Sequence, residues 1–265
     1  MPGIEMAPLT SAEVGKLQKQ ADTICVGVGS FETHGPHLPM GADVYVGEKI
    51  MSLARERMRR TALFLPTLNY GITYHCGHRF PGTVSLSDNT LIGFCRDIAK
   101  YSALQGFRKL VFINMHGGNP QTLKVAAGQI REDYGIFPFI VSVIAGTSFD
   151  KYFPNEPLGH ACAGETSLML ATRPDLVRDY KHAPRVVPRE FPGELKPDFW
   201  GDWCWYTRGQ GHVGFPENAS ADVGKKMLEE AASGVSRMID EIVAFDPGQF
   251  IECEPPHTPP AGNSR

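Results

Sequence analysis

The stretch Arg108-Lys109-Leu110-Val111-Phe112-Ile113-Asn114-Met115-His116-Gly117-Gly118-Asn119 decides how this chain is read. Residues 108–114 centre on an unbroken apolar run with no polar alternation, the pattern of a strand buried on both faces in a helix-covered parallel sheet. His116 follows almost at once, and two glycines then let the backbone approach closely, a turn suited to presenting a ligand. A helical stretch to about Tyr134 completes a strand–turn–helix unit.

The same order recurs upstream. Residues 23–29 (TICVGVG) read as a buried strand, the Gly/Pro-rich segment 30–43 as a loop, and the next residues as a helix to about Arg60. Short strands are predicted at 62–65 and 137–144. Helices are predicted at 11–20, where Thr10 and Glu13 suggest a capping box, and from the cap Ser87 to Gln105, with Gly106 as the stop. Others follow at 164–173 and, amphipathic and long, at 219–243. Segments 69–86 and 190–212 carry no periodicity. Strands alternating with helices predict a mostly parallel sheet covered on both faces. In such sheets ligands bind beyond the carboxyl ends of the strands, so the loops 30–43 and 115–119 are expected to converge although over 70 residues separate them. Residues 1–245 read as one domain and 246–265 as a Pro-rich tail.

Composition narrows the function classes. With 42% hydrophobic and 21% charged residues over 265 positions, the chain has the balance of a folded protein. A formal charge of −3 gives no electrostatic support to a nucleic-acid surface. No apolar run approaches the roughly 20 residues that span a bilayer. Met1–Thr10 lacks the charged start and apolar stretch of a signal peptide. The cysteines (25, 76, 95, 162, 204 and 253) form no C-x-x-C pair. A cytoplasmic protein with reduced thiols, no nucleic-acid partner and no membrane association is expected.

The loop 30–43 reads Ser-Phe-Glu-Thr-His-Gly-Pro-His-Leu-Pro-Met-Gly-Ala-Asp. Glu32 and His34 are two apart and share a side of an extended segment. Asp43 stands where a helix dipole favours a carboxylate. Two carboxylates and an imidazole suit Zn²⁺, Mn²⁺, Fe²⁺ or Ni²⁺, and the absence of thiolates disfavours a structural zinc knot. A plain surface loop with Asp43 as a helix cap is the alternative. His116 is either a ligand or a polar strand end, and Asn119 is also placed to cap the helix after it.

Together, Glu32-x-His34-Gly-x-His37-Leu-Pro-x-Gly-x-Asp43, Phe80-Pro81-Gly82-Thr83, His116-Gly-Gly-Asn119 and Gly164-Glu165-Thr166-Ser167 resemble the creatininase (creatinine amidohydrolase) family over about residues 20–243. The resemblance implies a three-layer α/β/α sandwich holding two divalent metals, Zn, Mn or Fe. Glu32 and His116 would hold one metal, His34 the other, and Asp43 would bridge them. Creatininase itself carries a metal-binding Glu where this chain has Gly118, and many members carry an extra Glu at the position of Ala163. The match is therefore to the family and not to creatininase proper, and Glu165 is the candidate to complete the second metal's ligands. His160, five residues before Glu165, is the candidate general acid, and Glu165 is a catalytic candidate as well as a ligand.

The expected reaction is attack of a metal-bridging hydroxide on a small-molecule amide, with a cyclic amide or lactam as first choice. A formamide or peptide-type bond is the close rival. A lactone or phosphoester hydrolase, or a non-catalytic metal-binding scaffold, is more distant. His78, Arg79, Thr83 and Asn119 are candidate substrate contacts, with Tyr74 and His75 beside them. Trp200, Trp203 and Trp205 lie in a segment that reads as a lid or a subunit interface. The family resemblance also implies a homo-oligomer, a hexamer.

Overall fold

In the computed structural model, which describes residues 3–76, 79–157, 159–190 and 202–250, the neighbouring strands β2 (Thr23–Val28) and β4 (Lys109–Asn114) are buried along their whole length. Their side chains feed two separate apolar layers, which is why neither strand alternates in sequence. Leu110 and Phe112 of β4 pack with Leu91, Cys95, Ala99, Leu123, Ala126 and Ile130 from α3 (Asp88–Leu104) and α4 (Pro120–Tyr134). Val111 and Ile113 point the other way. They meet α2 (Ala42–Arg57), α5 (Ala163–Thr172) and α7 (Ala221–Ala244) through Ile50, Met169, Ala231 and Val235. The architecture is a three-layer α/β/α sandwich with a parallel central sheet, in agreement with the sequence expectation.

The sheet also contains β1 (Gly3–Glu5), β3 (Ala62–Phe64) and β5 (Phe137–Ser142), in the order β1-β3-β2-β4-β5, and every pairing is parallel. From β2 the chain turns through α2 to β3 on one side. From β3 it returns through α3 to β4 on the other. The carboxyl ends of β2 and β4 therefore flank a topological switch point, where loops part and leave a crevice. Register puts the strand ends level, with Val28 opposite Asn114 and Asn114 opposite Ser142.

Boundaries differ from expectation by a few residues. The first helix, α1, spans only Ser11–Leu17, although its Thr10–Glu13 capping box is present. Strand β5 stops at Ser142 instead of 144. β1 is not among the expected strands, because three residues are too few to show a period. Asn119 stands at the N-cap position of α4 but makes no side-chain cap. Its carboxamide instead accepts from Ile72 N–H and donates to the carbonyl of Gly29. Within the Trp-rich segment, Trp203–Tyr206 forms a short helix, α6. Trp200, His78 and the tail beyond 250 lie outside the described residues.

Candidate metal centre

The loop after β2 is held against its neighbours by backbone bonds. Glu32 N–H donates to Met40 O, Val84 N–H to Phe31 O, and Thr33 N–H to the Thr83 hydroxyl. Gly35 has φ +67°, and a Cβ there would lie 2.8 Å from His212 Nδ1, so both conformation and space demand glycine. These ties turn Glu32 and His34 inward, to 0% and 1% exposure. Asp43 sits in the first turn of α2 and accepts a 2.7 Å bond from the Ser30 hydroxyl.

Around these carboxylates stand histidines that share one arrangement. His34 Nδ1 donates to Glu32 O at 3.1 Å, leaving Nε2 3.2 Å from Asp43 Oδ1. His116 Nε2 donates to Ile72 O at 3.0 Å, leaving Nδ1 2.9 Å from Asp43 Oδ2 and 3.0 Å from Glu32 Oε1. His160 Nε2 bonds Thr33 O, with Nδ1 3.6 Å from Glu32 Oε1. In each case a backbone carbonyl fixes one ring nitrogen and aims the other at a carboxylate, the orientation that metal-ligating histidines use. Asp43 presents one oxygen to His34 and the other to His116.

The donor set fits a cation. Among the described residues no Lys or Arg pairs with Glu32, Asp43 or Glu165; their charge faces histidines alone. Among the described residues Glu32 Oε1 is buried without a hydrogen-bond partner, since the nearby His116 N–H is directed at Asp43. Two groups place their donor atoms within 4.8 Å of one another: Glu32, His75 and His116, and Glu32, His34 and His160.

Electrostatics follow from this crowding. Burial pushes Glu32 up, but the charges of His116 and His160 outweigh it and bring it down to about 2. Burial likewise opposes His34, and Asp43 overrides it, raising the imidazole to about 9. His116 is raised by Glu32 and Asp43 against burial. His160 goes the other way, to about 4, through burial and the charge of His34. Glu165 is raised to about 7 by burial and then by Asp43. Protons held on His34 and His116 thus balance the buried carboxylates.

Glu165 stands apart from both donor groups and accepts a 2.5 Å bond from Ala161 N–H. It lines, with Asp43, His116, Asn114 and Ser142, a cavity of about 450 Å³ whose remaining walls are mainly apolar, among them Val46, Ile144, Phe149 and Met169. Of the expected substrate contacts, Asn119 is fully buried and committed to backbone groups, and the Thr83 hydroxyl holds Thr33. Arg79 is exposed and pairs with Asp202 at 3.1 Å. None of these three lines that cavity.

Two histidines hold places that the sequence does not reveal. His75, expected beside the substrate contacts, belongs to a donor group. His37, without an expected role in its motif, is buried and donates from Nε2 to Ala161 O at 3.1 Å, with the Thr166 hydroxyl 3.0 Å away. Ala161 has φ +52°, a left-handed conformation costly for alanine, and it separates His160 from the turn that presents Glu165. His37 thus pins a strained turn between two site residues. Its fixed spacing from Glu32 and His34 is the only signal in the sequence, and spacing alone does not reveal a partner beyond residue 160. Trp203 sets its ring edge-on to His75 and His160, at 5.4 and 5.6 Å, so this part of the Trp-rich segment packs on the centre.

Known proteins share this fold. The family model described as creatinine amidohydrolase matches residues 7–239. Creatinine amidohydrolase of Pseudomonas putida is 32% identical over 81% of this chain and 87% of its own length. The mycofactocin precursor peptide peptidase of Mycolicibacterium smegmatis is 28% identical, over 84% and 87%. A solved manganese form of creatininase superposes with a TM-score of 0.74 at 28% identity, covering 91% of this chain and 99% of that one. With a family model matched over residues 7–239 and relatives that include both a creatinine amidohydrolase and a peptide peptidase, the chain belongs to the creatininase family of hydrolases as a member distinct from creatininase proper.

Proposed function

We propose that the protein is a metal-dependent amidohydrolase that opens a cyclic amide or lactam at its C–N bond. The observation that carries this reading is the set of histidines tied to backbone carbonyls and aimed at carboxylates that no Lys or Arg among the described residues neutralises. Glu32 and His116 would hold one divalent ion and His34 the other, with Asp43 between them and Glu165 completing the second set. Zn, Mn or Fe suits such nitrogen and oxygen donors. Bound there, divalent ions bring the pKa of water down to about 7 and polarise a carbonyl oxygen.

The chain's own residues supply the rest. His160 is held neutral near neutrality, so the proton it hands on comes from the attacking water within the same cycle. Nε2 is occupied by Thr33 O, and Nδ1, on the side of Glu32, is the atom that accepts this proton and returns it to the departing nitrogen. The apolar cavity beside Asp43 and His116 receives the non-reacting part of the substrate. Its volume also favours a second reading, a peptide-type amide with an apolar side chain. The likeness to a peptide peptidase supports that reading.

Turnover of a cyclic amide, a formamide and a short apolar peptide, before and after stripping and restoring Mn²⁺ or Zn²⁺, tests the proposal. Metal-dependent opening of the cyclic amide is expected. Cleavage of the peptide alone selects the second reading, and turnover unaffected by stripping contradicts both. A homo-oligomer of six small-molecule-processing subunits in the cytoplasm completes the proposal, and light scattering checks the assembly. No helix among the described residues is long and apolar enough to cross a membrane.

A further inference from the structure

We infer that His75 is a direct ligand of the metal held by Glu32 and His116. The inference rests on the metal-centre reading above. Three observations carry it. First, His75 Nε2 lies 3.9 Å from Glu32 Oε2, and Glu32, His75 and His116 place one donor atom each within 4.8 Å of one another, a spacing that one ion can span. Second, Glu32 is divided between partners: Oε1, without a hydrogen bond, faces His116 and His160, while Oε2 faces His75 and the Cys76 thiol at 3.3 Å. An ion between Glu32 and His116 therefore meets the His75 ring next.

Third, the backbone forbids a ligand from the turn after β4. A Cβ at Gly118 would stand 2.2 Å from Ile72 O and 2.5 Å from His116 Nε2, the two atoms whose hydrogen bond fixes the His116 ring. A side chain there would break the bond that orients a ligand already in place. A third side-chain donor to this ion therefore comes from another segment. His75 is held in position to supply it. Its ring lies 8° from parallel with His116 at 6.0 Å, Trp203 stands edge-on against it, and its carbonyl accepts from Trp203 N–H at 3.3 Å. Two imidazoles and one carboxylate make a donor set rich in nitrogen, which favours Zn²⁺ or Co²⁺ over Mn²⁺.

The test is metal binding to the full chain, with no substrate present. Zn²⁺ affinity is measured by competition with a chelator, and the Co²⁺-loaded protein is followed by its visible absorption, in wild type, His75→Phe and His75→Glu. Phe keeps a ring against Trp203 but offers no donor. It is expected to weaken one of the two Zn²⁺ sites by about 10–100-fold or more and to alter the Co²⁺ spectrum. Glu restores a donor, so the weakened site is expected to recover, with preference moved toward Mn²⁺. Wild-type affinity and spectrum in His75→Phe overturn the inference, because a packing residue would behave that way. Loss in the Phe variant without recovery in the Glu variant overturns it too, because it marks a folding defect. If the wild type itself binds neither ion, the proposed function fails first, so the two failures are distinguishable.

Discussion

The two ends of strand β4 both bury polar groups, and they treat them in opposite ways. At the start, Lys109 is 1% exposed and its ammonium meets three acceptors: Val243 O at 2.7 Å, Phe245 O at 2.9 Å and Asp22 at 3.1 Å. An ammonium has three protons, so this end is closed, and it secures the carboxyl end of α7 to the sheet. At the finish, His116 faces Glu32 and Asp43, one oxygen of Glu32 has no hydrogen bond, and Glu165 stands close enough for Asp43 to raise it. One end contains its own cation; the other has excess carboxylate and only histidines to balance it. The difference teaches that buried charge alone does not mark a site, whereas buried charge whose balance depends on protons does.

Breaking the open end carries the largest effect. Asp43→Ala removes the carboxylate shared by His34 and His116, so metal content and turnover should both fall to background, as elemental analysis and a rate assay will read. His160→Ala should lower turnover by roughly 10²–10⁴. Metal retained identifies a proton carrier. Metal lost with the rate identifies a ligand from the group Glu32, His34 and His160.

The closed end gives the converse. Lys109→Met leaves the half-buried carbonyls of Val243 and Phe245 without their donor, at up to about 1 kcal/mol each, so chemical denaturation should show reduced stability with metal content and turnover unchanged. If activity fell with the metal still bound, the two ends would not be independent.

The smallest effect is a pH dependence. His34 is raised from 6.5 to about 9, so in chelated protein its stabilisation is complete below pH 6.5 and is lost as pH rises through 9. Glu165, raised from 4.5 to about 7, acts in the same direction, its contribution disappearing as pH rises through 7. The melting temperature of chelated protein should therefore fall between about pH 6.5 and 9. Metal-loaded protein should not share that fall, because the ion takes the place of the protons.

The same contrast separates what is legible in the sequence from what is not. Strands β2 and β4 are plain because an unbroken apolar run of that length, bounded by turn residues, suits a strand covered on both faces. Their level ends bring Glu32, His34, Asp43 and His116 together, as the alternation of elements implies. β1 shows no pattern at three residues. His75 and Trp203 lie in segments without periodicity, so nothing local says that they meet. Asn119 departs from its expected place among the substrate contacts because its partner, Ile72 N–H, is supplied by a distant loop, and a carboxamide looks the same in sequence whether it binds a ligand or a backbone. His37 is hidden for a related reason: its work depends on the left-handed turn at Ala161.

The central claim is that the carboxyl end of the sheet is a divalent-cation site. The most direct measurement is calorimetric titration of chelator-stripped protein with Zn²⁺ at neutral pH, paired with thermal melts of the stripped and loaded forms. The account predicts one to two ions per chain, proton release on binding as His34 and His116 give up their protons, and a higher melting temperature once loaded. No heat of binding and identical melts would contradict it.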